Sequence, residues 1–177
     1  ELPTGANLVS GQADITSSGS QMLIDQGSQN AIINWDSFSI GTGAGVTFNN
    51  GNGATLNRVQ GAGTSYIDGS LNATGSLFLI NQNGVVIGKD GVIQTGGKFV
   101  ASTLDISDAD FLDGGDMTFS GDSSASVINL GKVGSLGGDI ALIARHVTNE
   151  GELTAPNGTV GLAAGREVLM RDASLND

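Results

Sequence analysis

The sequence predicts an all-β protein whose short strands wind into a parallel β-helix, and three observations carry that prediction. Glycine is abundant, at 29 residues, while proline is scarce, at two. Hydrophobic residues make up 38% of the chain and recur in short groups of Val, Ile and Leu, unlike a disordered linker. These groups alternate with period two, as in Lys98-Phe99-Val100-Ala101 and Asp139-Ile140-Ala141-Leu142-Ile143-Ala144, and Gly, Asn, Asp, Ser or Thr interrupts them every few residues.

A repeat converts this turn-rich β reading into an architecture. IDGSLNATGSLFL (67–79) superposes on KDGVIQTGGKFVA (89–101) at an offset of 22, placing Leu71 on Ile93 and Leu77 on Phe99. VINLGKV (127–133) superposes on VTNEGEL (147–153) at an offset of 20, and Ile140 and Leu142 fall on Val160 and Leu162 by the same shift. Asp116-Met117-Thr118-Phe119 echoes Asp139-Ile140-Ala141-Leu142 at an offset of 23. Such a period is the length of one β-helix coil, and coils stacked about 4.8 Å apart turn equivalent apolar residues into interior ladders. A leucine-rich repeat has a similar period, but its leucine-and-asparagine consensus is missing.

The 177 residues make one domain with a sizeable core. Residues 1–65 depart from the 22-residue rule and read as an N-terminal cap with antiparallel strands, together with the first coils. Residues 66–103 are coils, 104–116 (LDISDADFLDGGD) break the repeat as an extra-helical loop, and 117–177 are further coils. The pattern still runs at RDASLND, as in the front portion of a longer solenoid. A cap is required because a β-helix ends in unpaired backbone groups that recruit other chains.

Charge and composition narrow the partners. With 18 acidic and 7 basic residues the net charge is −11, which disfavours nucleic acid and anionic membrane. No apolar run is long enough for a spanning helix, so no membrane insertion is expected. The absence of cysteine suits a chain that crosses an oxidising compartment unfolded. The start, ELPTGANLVSG, has neither a basic nor an apolar leader region, so any signal peptide is already removed or was never there.

Between the apolar runs LFLI and VVI stand Asn81, Gln82, Asn83 and Gly84, a set of turn formers that reads as a β-helix corner. Here, and in NAIINWDSFSIGTGAGVTFNN (30–50), LNRVQG (56–61), SYIDGSLNATGSLFLINQNGVVIG (65–88) and GGKFVASTLDISDADFL (96–112), the chain resembles the N-terminal secretion domain of two-partner secretion exoproteins. This is also called the haemagglutination-activity domain of filamentous-haemagglutinin-like adhesins and haemolysins. The family's Asn-Pro-Asn-Gly motif falls on Asn81 to Gly84, and its Asn-Pro-Asn-Leu motif near Asn49, Asn50, Gly51, Asn52 and Gly53; neither keeps its proline.

The resemblance implies a right-handed parallel β-helix with an N-terminal cap and extra-helical antiparallel strands. It implies a secretion signal and folding nucleus, recognised by the periplasmic POTRA domains of a TpsB-type outer-membrane β-barrel transporter. The protein is then secreted or displayed at the cell surface via the periplasm, as a monomer without a cofactor. Whether the full-length protein is an adhesin, a cytolysin or a contact-dependent toxin is decided by its C-terminal region.

Two other classes compete. One is an adhesive module that binds host or matrix glycans directly; the other is a glycan-active β-helix enzyme, which needs clustered carboxylates on one exposed ladder. The acidic group Asp105, Asp108, Asp110, Asp113 and Asp116 matches no calcium-loop spacing and reads as a solvated loop. His146 lacks a nucleophile-elbow context, and Trp35, Phe38 and Phe48 read as cap core rather than a sugar platform. No catalytic or metal-binding residue is therefore expected.

Overall fold

A computed structural model describes residues 1–171 and places them in a parallel β-helix closed at its N-terminal end by antiparallel strands. The chain opens with β1 (Asn7–Ser10) and β2 (Ala13–Ser18), then enters the coils with β3 (Gln21–Gln26) and β4 (Asn30–Trp35). The next coils are β5 (Gly45–Asn49), β6 (Ala54–Val59) and β7 (Ser65–Ile67), then β8 (Ser70–Ala73), β9 (Ser76–Ile80) and β10 (Val85–Ile87). After β11 (Val92–Thr95) and β12 (Phe99–Ser102) an excursion carries α1 (Asp108–Asp113) and β13 (Met117–Ser120). The coils resume with β14 (Ser126–Asn129), β15 (Lys132–Ser135), β16 (Ile140–Ala144), β17 (His146–Asn149), β18 (Glu152–Thr154) and β19 (Val160–Ala164), and β20 (Glu167–Met170) leaves them.

Three sheets form the faces of the helix. The first runs β2-β3-β5-β8-β11-β15-β18, the second β1-β4-β6-β9-β12-β16-β19, and the third β7-β10-β14-β17. Within these three sheets the antiparallel pairs are N-terminal, β2 with β3 and β1 with β4, and they cover edges that would otherwise be open.

Stacking builds the expected ladders. Met22, Val46, Leu71, Ile93, Val133 and Leu153 follow one another in register, so Leu71 does lie beside Ile93. Leu77 lies beside Phe99 and then Ile140. Trp35, Phe38 and Phe48 are buried together, with Trp35 and Phe38 edge to face at 5.4 Å. They are core.

Regular coils begin at Gln21: Gln21 pairs with Gly45 and Gly45 with Ser70, steps of 24 and 25 residues. One expectation changes. The excursion expected over 104–116 runs from Thr103 to Ala125, because β13 does not stack on β16 but pairs antiparallel with β20 outside the coils. Met117 and Phe119 alternate like ladder residues, yet they bury against the outer side of the second face. With Leu104, Ile106 and Phe111 they cover Ile32, Leu56, Phe78 and Val100. This second core explains why LFLI is apolar at every position: its strand is buried on both faces. Residues 172–177, including most of RDASLND, lie outside the described residues. Among the described residues no helix is long and apolar enough to cross a membrane.

Candidate functional site

Residues 81–84 form the corner between the second and third faces, and hydrogen bonds fix nearly every group in it. Gly84 N–H donates to the Asn81 carbonyl at 3.0 Å, closing a β-turn, and Asn83 N–H donates to Asn81 Oδ1 at 2.9 Å. The fully buried Asn81 amide reaches back to the preceding coil, donating to the Gly63 carbonyl at 2.9 Å and to Ser65 Oγ at 3.0 Å. Asn83 does the same, donating to the Gly61 carbonyl at 2.8 Å and accepting from Thr64 Oγ1 at 2.7 Å. Gly84 has φ +109°, a region open to glycine. Asparagine here satisfies buried backbone groups that turn geometry leaves over. Gln82 is exposed, and its backbone N–H makes no hydrogen bond among the described residues.

Residues 49–53 sit at a different corner, between the first and second faces, so the two motifs do not form one surface. The chemistry is nevertheless parallel. Asn50 is buried; its Nδ2 donates to Thr55 Oγ1 and to the Ser76 carbonyl, while its Oδ1 accepts from Gly75 N–H at 2.7 Å and from Thr74 Oγ1. Gly53 N–H donates to the Asn50 carbonyl at 2.9 Å. Each corner thus reads Asn-x-Asn-Gly, with the first Asn bonded to the neighbouring coil. They differ at the second residue: Gly51 has φ +60°, which excludes proline, whose ring holds φ near −65°. Asn49 is exposed and donates to Asp25 Oδ1, and Asn52 is exposed.

Sequence reasoning missed Arg58, which ties the excursion to the coils. Its Nε lies 2.9 Å from Asp105, its Nη1 3.0 Å from Asp108, and its Nη2 donates to the Ile106 carbonyl at 2.9 Å. Burial pulls the Arg58 pKa down, but hydrogen bonds and charge from Asp105 and then Asp108 outweigh it and hold the guanidinium above its ordinary value. A signal existed: Arg58 is the only Lys or Arg before Lys89. Two of the acidic-loop residues are therefore ion-pair partners, and Asp110 accepts from Thr118 N–H. His146 stands exposed at the start of β17.

A parallel β-helix with an antiparallel cap and coils stitched by asparagine corners defines the class, a capped β-solenoid domain. The chain belongs to the TPS secretion domain family, whose model matches residues 2–176. Its fold is similar to the HMW1 secretion domain from Haemophilus influenzae, with a TM-score of 0.87 and 35% identity over 96% of this chain and 46% of that one. The filamentous hemagglutinin secretion domain shares the fold, with a TM-score of 0.52 and 13% identity over 89% of this chain and 99% of that one. Two heme/hemopexin-binding proteins of Haemophilus influenzae are each 36% identical, over 60% and 49% of this chain. The chain spans only 12% and 9% of their lengths. Family membership makes this the secretion domain of a two-partner secretion exoprotein.

Proposed function

We propose that the domain is a non-catalytic export signal, read by the periplasmic POTRA domains of its transporter, and that it nucleates folding of the β-helix that follows. The observation that carries the reading is the 81–84 corner: its asparagines and glycine are fixed by hydrogen bonds while the Gln82 side chain is left exposed. Each coil also presents a ladder on which the next coil buries apolar surface, so folding outside the barrel opposes return. The haem or hemopexin binding named for the relatives is not carried over, because the overlap is about a tenth of their length and the single histidine, His146, is exposed on a strand.

The test joins residues 1–177 to an unrelated passenger and co-expresses the cognate transporter. The fusion reaches the surface if the reading is right; retention in the periplasm sinks it. Asn81→Ala separates contact from architecture: a domain that still folds but is not exported places recognition at this corner, and loss of folding makes the corner structural.

A further inference from the structure

We infer that Met170 is an oxidation site and the catch of a redox-sensitive latch: an oxidant of the peroxide class converts its thioether to the sulfoxide and frees β20 from the excursion. The chain holds three methionines and no cysteine, so thioethers are its only sulfur. The three sit in unlike places. Met22 lies in the interior of the coils at 8% exposure and Met117 in the second core at 5%, whereas Met170 is only half-buried. Oxidation follows exposure, so a peroxide reaches Met170 first.

Position gives that reaction a consequence. Among the described residues β20 pairs along one edge alone, through the ladder that joins its four residues to β13. Its two inward side chains, Val168 and Met170, pack on the second core, while Glu167 and Leu169 are exposed. Half of this inward grip is therefore one flexible, polarisable side chain. The sulfoxide oxygen is a hydrogen-bond acceptor, and the core beneath it is built of Ile, Leu, Val, Phe and Met side chains that have nothing to donate. Left there the oxygen is desolvated and unanswered, so the side chain turns out to water and takes β20 with it.

The step balances. One peroxide oxygen bonds to the sulfur as the O–O bond breaks, the sulfur is oxidised by two electrons, and the second oxygen leaves as water. Met117 is the register partner of Met170 across the two strands. Once β20 lifts, the β13 edge and Met117 meet solvent, and Met117 is oxidised in turn. The pair thus has an order: Met170 gates Met117, and Met117 does not gate Met170. Enzymatic reduction of the sulfoxide, which takes one reductase for each epimer, resets the latch.

The latch rests on the folded domain alone and stands or falls independently of the export reading. Its test exposes the chain of residues 1–177 to hydrogen peroxide, follows oxygen uptake at each methionine by peptide mass mapping, and measures hydrogen exchange across Met117 to Ser120. Met170 is oxidised first, and exchange at those amides then quickens about tenfold or more. The two methionine sulfoxide reductases together slow it again. Met170→Leu, a swap that keeps volume and apolar character, keeps Met117 reduced and exchange slow under the same peroxide, with Met22 as in the parent. Met117→Leu leaves the rate at Met170 unchanged. The inference is overturned by any of three results: Met22 or Met117 is oxidised ahead of Met170, exchange at Met117 to Ser120 is unchanged once Met170 is oxidised, or Met117 in the Met170→Leu chain is oxidised as fast as in the parent.

Discussion

Met117 and Met170 face each other across an antiparallel pair that lies outside the coils, so the strand leaving the last described coil closes the excursion that left an earlier one. Val168 and Met170 pack against the core beneath, and Gly121 N–H bonds the Arg166 carbonyl. Until β20 arrives, β13 has an unpaired edge. A chain ending at Gly165 keeps its coils, and thus most of its far-ultraviolet signal, but loses about 2–4 kcal/mol of stability. Urea unfolding measures the loss, and hydrogen exchange at Met117 to Ser120 locates it. Unchanged protection of those amides would show that β13 is held by the second face alone.

Arg58 makes the other attachment of the excursion. Arg58→Ala removes two ion pairs and a hydrogen bond to the Ile106 carbonyl; because Asp105 and Asp108 are about half exposed, the cost is about 1–2 kcal/mol. The expected readout is faster proteolysis within 104–116. The pH sign follows from the raised guanidinium pKa: the contribution of this charge is complete below the unfolded value, far into the alkaline range, and is lost only as pH rises through the still higher folded value. The stability difference between parent and Arg58→Ala therefore stays flat from neutral to mildly alkaline pH. A difference that fades across that range would place its origin elsewhere.

The two attachments also mark what the sequence could and could not disclose. Ladder partners such as Leu71 and Ile93 were legible because coil stacking forces equivalent residues into register, and the 81–84 corner because Asn and Gly have few other uses between two apolar runs. β13 was not legible as extra-helical: Met117 and Phe119 alternate as a ladder strand does, and only the third dimension shows which apolar surface they meet. The first coils depart from the 22-residue rule because their step is longer, at 24 and 25 residues. Arg58 contacts residues nearly fifty positions away, and one sequence carries no record of that.

Proline should separate the two asparagine corners. Gln82 has a free backbone N–H at the second position of its turn, so Gln82→Pro is tolerated and stabilises by about 0.4–1 kcal/mol through the unfolded chain. Gly51→Pro meets φ +60° and costs about 3 kcal/mol or more. Thermal melts of both variants decide the matter. If Gln82→Pro destabilises as much as Gly51→Pro, the two turns are not as different as their backbones indicate.

Removing either buried asparagine tests the stitching between coils. Asn81→Ala strands the Gly63 carbonyl and Ser65 Oγ, and Asn50→Ala strands Gly75 N–H and the Ser76 carbonyl. Each costs about 2–3 kcal/mol. The exposed neighbours Gln82 and Asn52 tolerate alanine within about 0.5 kcal/mol. Equal effects at buried and exposed positions would show that the corners do not hold the coils together.

Leu71 offers a way to separate folding from recognition during export. It lies in the middle of a ladder, fully buried, and its side chain takes no part in the hydrogen bonds of either asparagine corner. Leu71→Ala removes buried methyl groups and leaves a cavity, at a cost of about 2–4 kcal/mol, while every group at 81–84 remains. If folding of the emerging coils gives export its direction, this variant is exported more slowly, and the conservative Leu71→Ile recovers most of the rate. Pulse-labelling of a passenger fusion supplies the rate, and chemical denaturation of the purified domain supplies the stability. Normal export at a proven loss of stability would sever the two, leaving recognition by the transporter to act without help from the ladder.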